Sequence, residues 1–459
     1  MKKGLTKELT TGNVFQTLVY FSLPFFLSYF LQTLYGMADL YIVGQFNAVE
    51  STTAISVGSQ IMHMITVMIV GLAMGTTVSI GHEVGAKNDK QVLVTIGNTV
   101  TLFLSVSIVM AVVLTLCVHR IISVMSVPKE AVDSTVSYLT ICFIGIPFIT
   151  AYNIISSVFR GMGDSKSPMY FIAVACVSNI VLDYIFIGAM GMGAAGAALG
   201  TTLSQTISVA AALLRIKTDS SMQHIRLVAE DFKPKQAVMG KLLSIGVPVA
   251  VQDGFIQISF LLITIIANRR GLFDAAAVGV VEKIIGILFL VPSSLLSSVS
   301  ALAAQNIGAG KKDRAKQTLK YAMLVAVVFG TASALLMQFF AEPVVSIFRS
   351  EPEVVRLGGQ YLRGYVWDCV FAGVHFCFSG YFCACGKSGL SFLHNAIAIV
   401  CARIPLAYLA SKLFADTLFP MGLATVTGSA VSVLICVIAY IWLVRKERDS
   451  GMMKGNCGG

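Results

Sequence analysis

Charged side chains are scarce in this chain. Asp, Glu, Lys and Arg make up 12% of 459 residues, hydrophobic residues 56%, and mean hydropathy is +0.81. An ordinary soluble domain carries about twice that share of charge. A soluble chain this apolar could not cover its own surface, and a disordered one would need the opposite composition. The 11 prolines and 40 glycines are too few for a collagen-like fibre. Ten cysteines are present, but Cys142, Cys176, Cys377, Cys401 and Cys436 lie in apolar runs. Cys383 and Cys385 lack a second pair at metal-site spacing. A secreted disulfide scaffold is thereby excluded, and the composition describes a polytopic integral membrane protein.

Other signals are missing too. Gly163 to Lys166 lacks the glycine spacing and the preceding strand of a phosphate-binding loop. The formal charge of +10 is spread over short loops between apolar spans, which argues for membrane topology and against nucleic-acid binding. Lys2, Lys3 and Lys7 precede an apolar stretch far longer than the core of a signal peptide, so no cleavable signal is expected.

What is present is a series of long apolar runs. A bilayer core takes about 20 residues per helix. Twelve spans are expected, over residues 15–43, 53–80, 93–118, 136–159, 168–188, 194–214, 242–268, 275–303, 317–341, 359–384, 390–411 and 419–444. With the N-terminus inside, inner segments hold 23 of the 33 Lys and Arg and outer loops hold 8. That bias puts both termini in the cytoplasm and favours an even number of spans. The longest polar stretch, Lys217 to Gly240 with Asp219, His224, Arg226, Glu230, Asp231, Lys233 and Lys235, falls near mid-chain. The expected plan is an amino-terminal lobe over 1–214, a cytoplasmic linker over 215–241, a carboxy-terminal lobe over 242–445 and a cytoplasmic tail over 446–459.

The two lobes read as repeats. Gly81 to Lys87 follows the second span and Ala304 to Gly310 follows the eighth, with Gly85 and Gly308 set 223 residues apart. Gly163 and Gly386, after the fourth and tenth spans, are again 223 apart, and Pro24 and Pro248 are 224 apart. Both halves hold six spans and start inside, so the repeat is parallel, with its axis along the membrane normal. Paired bundles of this kind suit alternating access.

Ionisable residues at membrane depth are costly and mark function by default. They are Asp39, Asp183, Asp253, Glu282, Lys283, Asp368, His375 and Arg403. Asn179 and Asp183 are four apart, on one helix face. Asp39 lies in the outer part of the first span, and Thr201 opens a polar run in the sixth. If the first, fifth and sixth spans converge, these four supply only hard oxygen ligands for a cation. Two nearby carboxylates repel, so the pair would take up a proton or Na⁺. Asp253 and Lys283 are placed to pair across the seventh and eighth spans; the alternative is a cavity-facing Asp or Glu that meets substrate, with Asp253, Glu282, Lys283 and Asp368 as the candidates. Arg403 is expected to bond backbone carbonyls beside Pro405, and His375 to be a satisfied buried histidine. His82 and Glu83 read as a loop pair. His63, His375 and His394 show no nucleophile or metal partners, so no enzyme is expected.

Several stretches resemble the multidrug and toxic compound extrusion (MATE) family. They are Met37-Ala38-Asp39 through Val43-Gly44, Phe159-Arg160-Gly161-Met162-Gly163-Asp164, Asn179 through Asp183 to Ala198, Gln305 to Gly310 with Arg314, and Arg403-Ile404-Pro405-Leu406-Ala407-Tyr408. The resemblance spans roughly residues 10–445. It implies a V-shaped, all-α pair of six-helix lobes that exports amphipathic, often cationic, small molecules in antiport with Na⁺ or H⁺. The branch typified by the DNA-damage-inducible protein F has a cation site whose residues match Asp39, Asn179, Asp183 and Thr201, and Pro24 resembles its first-helix hinge. Another branch uses carboxylates in the seventh and tenth helices, where Asp253 and Asp368 lie. The resemblance implies a multi-pass protein of the cell membrane that works as a monomer, without cofactor or nucleic acid. A flippase for a lipid-linked precursor, on the same superfamily fold, is the alternative. Its pyrophosphate would call for cavity cations, and only Lys283 and Arg403 lie deep within spans.

Overall fold

The computed structural model describes residues 8–46, 49–125, 127–218 and 227–455. Lys2, Lys3 and Lys7, Asp219, His224 and Arg226 of the linker, and the last four residues of the tail lie outside these. The described chain is helical: α1 (Val14–Phe46), α2 (Val49–Gly85), α3 (Asp89–Leu116), α4 (Val118–Val124), α5 (Val132–Ile144), α6 (Ile146–Gly161), α7 (Lys166–Asp183), α8 (Gly193–Thr218) and α9 (Gln236–Asn268). It continues as α10 (Leu272–Leu288), α11 (Leu290–Gly308), α12 (Lys312–Ser346), α13 (Pro352–Tyr365), α14 (Asp368–Ala384), α15 (Ser388–Ala398), α16 (Ile404–Leu413) and α17 (Phe419–Gly455).

Among the described residues, ten stretches are long and apolar enough to cross a membrane. Two further spans are bent, by 45° between α5 and α6 and by 42° between α13 and α14. Together they make the expected twelve, and the helices mostly extend past the expected spans, as at 312–346 against 317–341. The bends fall at Gly145 and at Val366–Trp367, matching places in the two halves. Pro147 opens α6, where a missing N–H costs no helical bond, whereas Pro405 follows the π-helix Ile399–Arg403 inside one continuous span. Pro24 and Pro248 instead sit inside unbroken α1 and α9, and the Ser28 hydroxyl donates to the Pro24 carbonyl at 2.8 Å.

Contacts divide the chain into two compact units. The first holds residues 1–254, 297–318 and 383–386, and the second 255–296, 319–382 and 387–459. The first has two apolar cores, one around Phe143, Ile146 and Ala198 and one around Ile80, Phe103 and Phe159. The second has a core around Val281, Tyr361 and Tyr365.

Within the first unit the repeat can be followed bond by bond. Lys87, Gly163, Gly310 and Gly386 all take left-handed backbone, with φ of 56°, 87°, 73° and 68°. At each, the next amide reaches back to close the helix end: Asn88 to Glu83 O at 2.9 Å, Asp164 to Phe159 O at 2.8 Å, Lys311 to Asn306 O at 2.8 Å and Lys387 to Phe382 O at 2.8 Å. These are Schellman ends, which glycine suits because it has no Cβ to clash. Gln305 Nε2 donates to Gly161 O at 2.9 Å, and at the repeat-equivalent places His82 Nε2 lies 2.7 Å from Ala384 O. His82 and Glu83 are thus the last turn of α2, not a loop pair. Glu83 meets Lys241 at 3.4 Å. A Cβ on Gly85 would overlap the Gln305 carbonyl, and one on Gly308 the His82 carbonyl. The ends of α2 and α11 therefore cross backbone against backbone.

Candidate functional site

The fifth span carries the main site. α7 ends at Asp183, and Tyr184–Ala189 continue it as a π-helix. Such widened turns often lie at functional places, because they redirect side chains at the cost of regular bonding. Asp183 is fully buried and Asn179 nearly so. α7 packs on both α1 and α8. That packing brings the Asp39 carboxyl of α1 within reach of Asp183 and Asn179. Tyr35, Tyr138 and Cys142 also lie close to Asp39.

Asp39 Oδ1, both carboxylate oxygens of Asp183, both amide atoms of Asn179 and the Thr201 hydroxyl are buried without a hydrogen bond. Two facing carboxylates offer acceptors only, so they cannot satisfy each other. Leaving such groups unpaired costs about 1–3 kcal/mol each, more when charged. A cluster of orphaned oxygens is the donor set for a small hard cation or a shared proton. Sequence reasoning groups these four residues but misses Gly200, next to Thr201. A Cβ there would overlap Asp183 Oδ1. The missing side chain on α8 is the space the carboxylate occupies. A glycine in an Ala-Gly helix gives no sign of this in sequence. Tyr35 could have been noticed, four residues before Asp39 on the same helix face.

The charges of the second half behave differently. Arg403 Nη2 donates to Asp368 Oδ2 at 3.2 Å and to the Tyr365 hydroxyl at 3.1 Å, with its guanidinium over the Phe260 ring at 5.3 Å. Asp368 and Arg403 are both buried. The expectation that Arg403 bonds backbone carbonyls is corrected: it ends a π-helix, Ile399–Arg403, which turns its side chain toward α14. Gly428 makes room for it on α17. Glu282 accepts from the Thr264 hydroxyl at 3.3 Å.

Lys283 is exposed and Asp253 half-buried, with Asp253 Oδ2 against Gly71 of α2. The two fall in different units, and neither makes an ion pair within its own unit among the described residues. The expected Asp253–Lys283 pair would join those two units. His375 is not satisfied: its Nδ1 is buried without a partner. His394, expected to lack partners, lies between Ser379 at 2.9 Å and Ser432 at 3.1 Å. Among the described residues no three His, Cys, Asp or Glu form a metal cluster.

Comparison with known proteins gives this arrangement its context. The MatE family model matches twice, over residues 24–185 and 248–409, a shift of 224 that reproduces the internal repeat. The chain is 30% identical over 406 residues to the probable multidrug resistance protein YpnP of Bacillus subtilis, covering 88% of this chain and 90% of that one. It is 26% identical to the probable multidrug resistance protein YoeA of the same organism, with 98% of each covered. A solved structure described as the outward-facing conformation of a multidrug resistance MATE family transporter of the MOP superfamily superposes with a TM-score of 0.89. It is 20% identical and 99% of each chain is covered. The twelve-span repeat, the doubled family match and the full-length relatives agree: this chain belongs to the MatE family, the multi-pass membrane transporters of multidrug and toxic compound extrusion, and is not an enzyme.

Proposed function

We propose that the protein is a secondary active exporter of amphipathic, often cationic, small molecules, driven by antiport of Na⁺ or H⁺ through alternating access. The observation that carries the reading is the set of orphaned oxygens of Asp39, Asn179 and Asp183, to which the unpaired Thr201 hydroxyl of α8 would add a fourth. Two acids without a counter-charge bind a coupling cation or a cationic substrate more favourably than both together. Each ligand then displaces the other by linkage. Pro24 would let α1 bend as the cluster fills and empties, since proline removes one internal helix bond. Asp253 or Glu282, each a carboxylate without a salt-bridge partner among the described residues, would meet the cationic part of the substrate. Asp368 and Lys283 are left out of that role, one because Arg403 already neutralises it, the other because it is exposed. In this reading the lobes are residues 1–214 and 242–445, both termini face the cytoplasm of a plasma-membrane protein, and one chain suffices. The relatives named for multidrug resistance support a drug substrate.

The test is dye export from proteoliposomes loaded with a fluorescent cation, under an imposed Na⁺ gradient or, separately, a proton gradient. Wild type should export under one gradient and Asp183→Asn under neither. Unchanged export in Asp183→Asn would remove the cluster from coupling. No export by wild type under either gradient would overturn the drug-antiport reading and turn attention to a lipid-linked substrate.

A further inference from the structure

A second feature lies in the second unit. At the C-terminal ends of α9 and α16, Ile266, Arg269, Arg270, Tyr408, Ser411 and Lys412 line a groove of about 290 Å³. Arg270 builds its wall and is fully used. Its Nε donates to Asp274 at 3.0 Å, its Nη1 to the carbonyls of Ser411 and Phe414 at 2.9 and 3.0 Å, and its Nη2 to that of Ala415 at 2.8 Å. This clamps the loop after α16 to the end of α9. Arg269 and Lys412 are exposed and join no ion pair among the described residues. The Lys412 ammonium sits 5.9 Å from the Tyr408 ring. Asp274 is taken by Arg270, and the remaining acid of the loop is the exposed Asp416.

The repeat shows what this corner looks like without the cations. At the shift of 224 that Pro24 and Pro248 show for these helices, Arg270 corresponds to Phe46 and Lys412 to Gly188. Phe46 packs edge-to-face on Tyr184 at 6.0 Å and lies against Gly188, so an aromatic ring occupies that place. In the second half an arginine stands there instead, and a positively charged opening remains. Both spans end here after more than the roughly 20 residues that cross a bilayer core, which argues for a place at the membrane surface. Leu409 and Leu413, one turn apart on α16, are exposed beside the groove and offer an apolar track. With the termini inside, this is the outer surface, where Lys and Arg are normally sparse.

We propose that this groove binds the phosphate of an anionic lipid headgroup, with Arg269 and Lys412 as its two donors and acyl chains along Leu409 and Leu413. Arginine offers a planar fork for phosphate oxygens and lysine a point charge. The full-length protein in detergent should be titrated with phosphatidylglycerol or phosphatidylcholine and followed by native mass spectrometry. Binding of phosphatidylglycerol should weaken about tenfold in Arg269→Phe/Lys412→Ala, whereas Arg269→Lys/Lys412→Arg should stay within about twofold of wild type. Phosphatidylcholine should respond to neither. Lipid-free melting of each variant reports folding. If the double variant fails to fold, Lys412→Gln alone is compared with wild type. Displacement of the bound lipid by millimolar inorganic phosphate would keep the phosphate chemistry and assign it a soluble source. Equal retention of phosphatidylglycerol by wild type and the neutralised variant would overturn the proposal.

Discussion

At the shift of 224 given by the doubled family match, Asp39 in the first half falls on Ile263 and Asp183 on Ala407. The charges of the second half sit elsewhere, on Asp368 and Arg403, and they neutralise each other. Two halves that share helix ends, bends and π-helical fifth spans have thus diverged in what they bury. The first buries acid against acid with no counter-charge, and the second buries acid against base. A paired charge is finished structure, whereas an unpaired acid pair stays incomplete until a cation arrives. This is why coupling is assigned to the first half and rigidity to the second.

The largest effect expected from that contrast is on transport, and it comes from a residue with no side chain. Gly200→Ala would push the Asp183 carboxylate out of its place. Gradient-driven dye export should be lost, while the protein still inserts and purifies. In the second half Ala424 of α17 lies in the apolar core with Val281 and Tyr361. Ala424→Gly should therefore cost no more than about 1 kcal/mol of stability and leave export running. Export that survives Gly200→Ala would break the assignment of coupling to the first half.

Stability should separate the halves with opposite signs. Asp368→Asn leaves Arg403 buried without its counter-charge. Removing one partner of a buried pair costs about 3–5 kcal/mol. Asp183→Asn removes a charge that has no counter-ion, so it should leave the melting temperature unchanged or raise it. The comparison is made by thermal unfolding in detergent without Na⁺. Equal destabilisation by both variants would show that the first-half acids are structural after all.

How much of this contrast could be read from sequence follows from what hydropathy and charge can report. All twelve spans were legible, because a bilayer demands the same apolar length of each helix. The acids at Asp39 and Asp183 were legible because a charge there conflicts with its surroundings. Partner choice was not. Arg403 reaches Asp368 across 35 residues through a π-turn that no local pattern announces. Lys283 points outward although its neighbour Glu282 reaches Thr264, since adjacent helical residues face about 100° apart. Gly200 was invisible for the opposite reason: its role is an absence of atoms. The repeat itself was visible in glycine spacing, yet the paired reach of His82 and Gln305 required coordinates, because an imidazole and an amide share no sequence resemblance.

Where the halves still agree, the effects should be smaller and alike. Gly85→Ala and Gly308→Ala each place a Cβ on a carbonyl of the crossing helix. Each should cost about 1–3 kcal/mol, as overpacking of a tight contact does. Because the two contacts are equivalents, the two melting shifts should match. A large difference would show that the crossing of α2 and α11 bears unequal load in the two repeats.

The smallest effect concerns the one helix end at which the repeat is imperfect. Lys87 holds φ of 56°, whereas its equivalent Gly310 holds 73° with open space where a Cβ would stand. The hydrogen bonds closing both ends are alike, at 2.9 and 2.8 Å, so the backbone demand is the same. Left-handed backbone costs an L-residue with a Cβ about 1–2 kcal/mol, partly offset because glycine is freer in the unfolded chain. Lys87→Gly should therefore stabilise by somewhat under about 1 kcal/mol, and Gly310→Lys should destabilise by a similar amount. Opposite-signed shifts of similar size in the melting midpoint would show that the lysine is kept for its charge and not for the fold. Destabilisation by Lys87→Gly would mean that the lysine side chain itself holds the turn, and that this end of the first half is built differently from its counterpart.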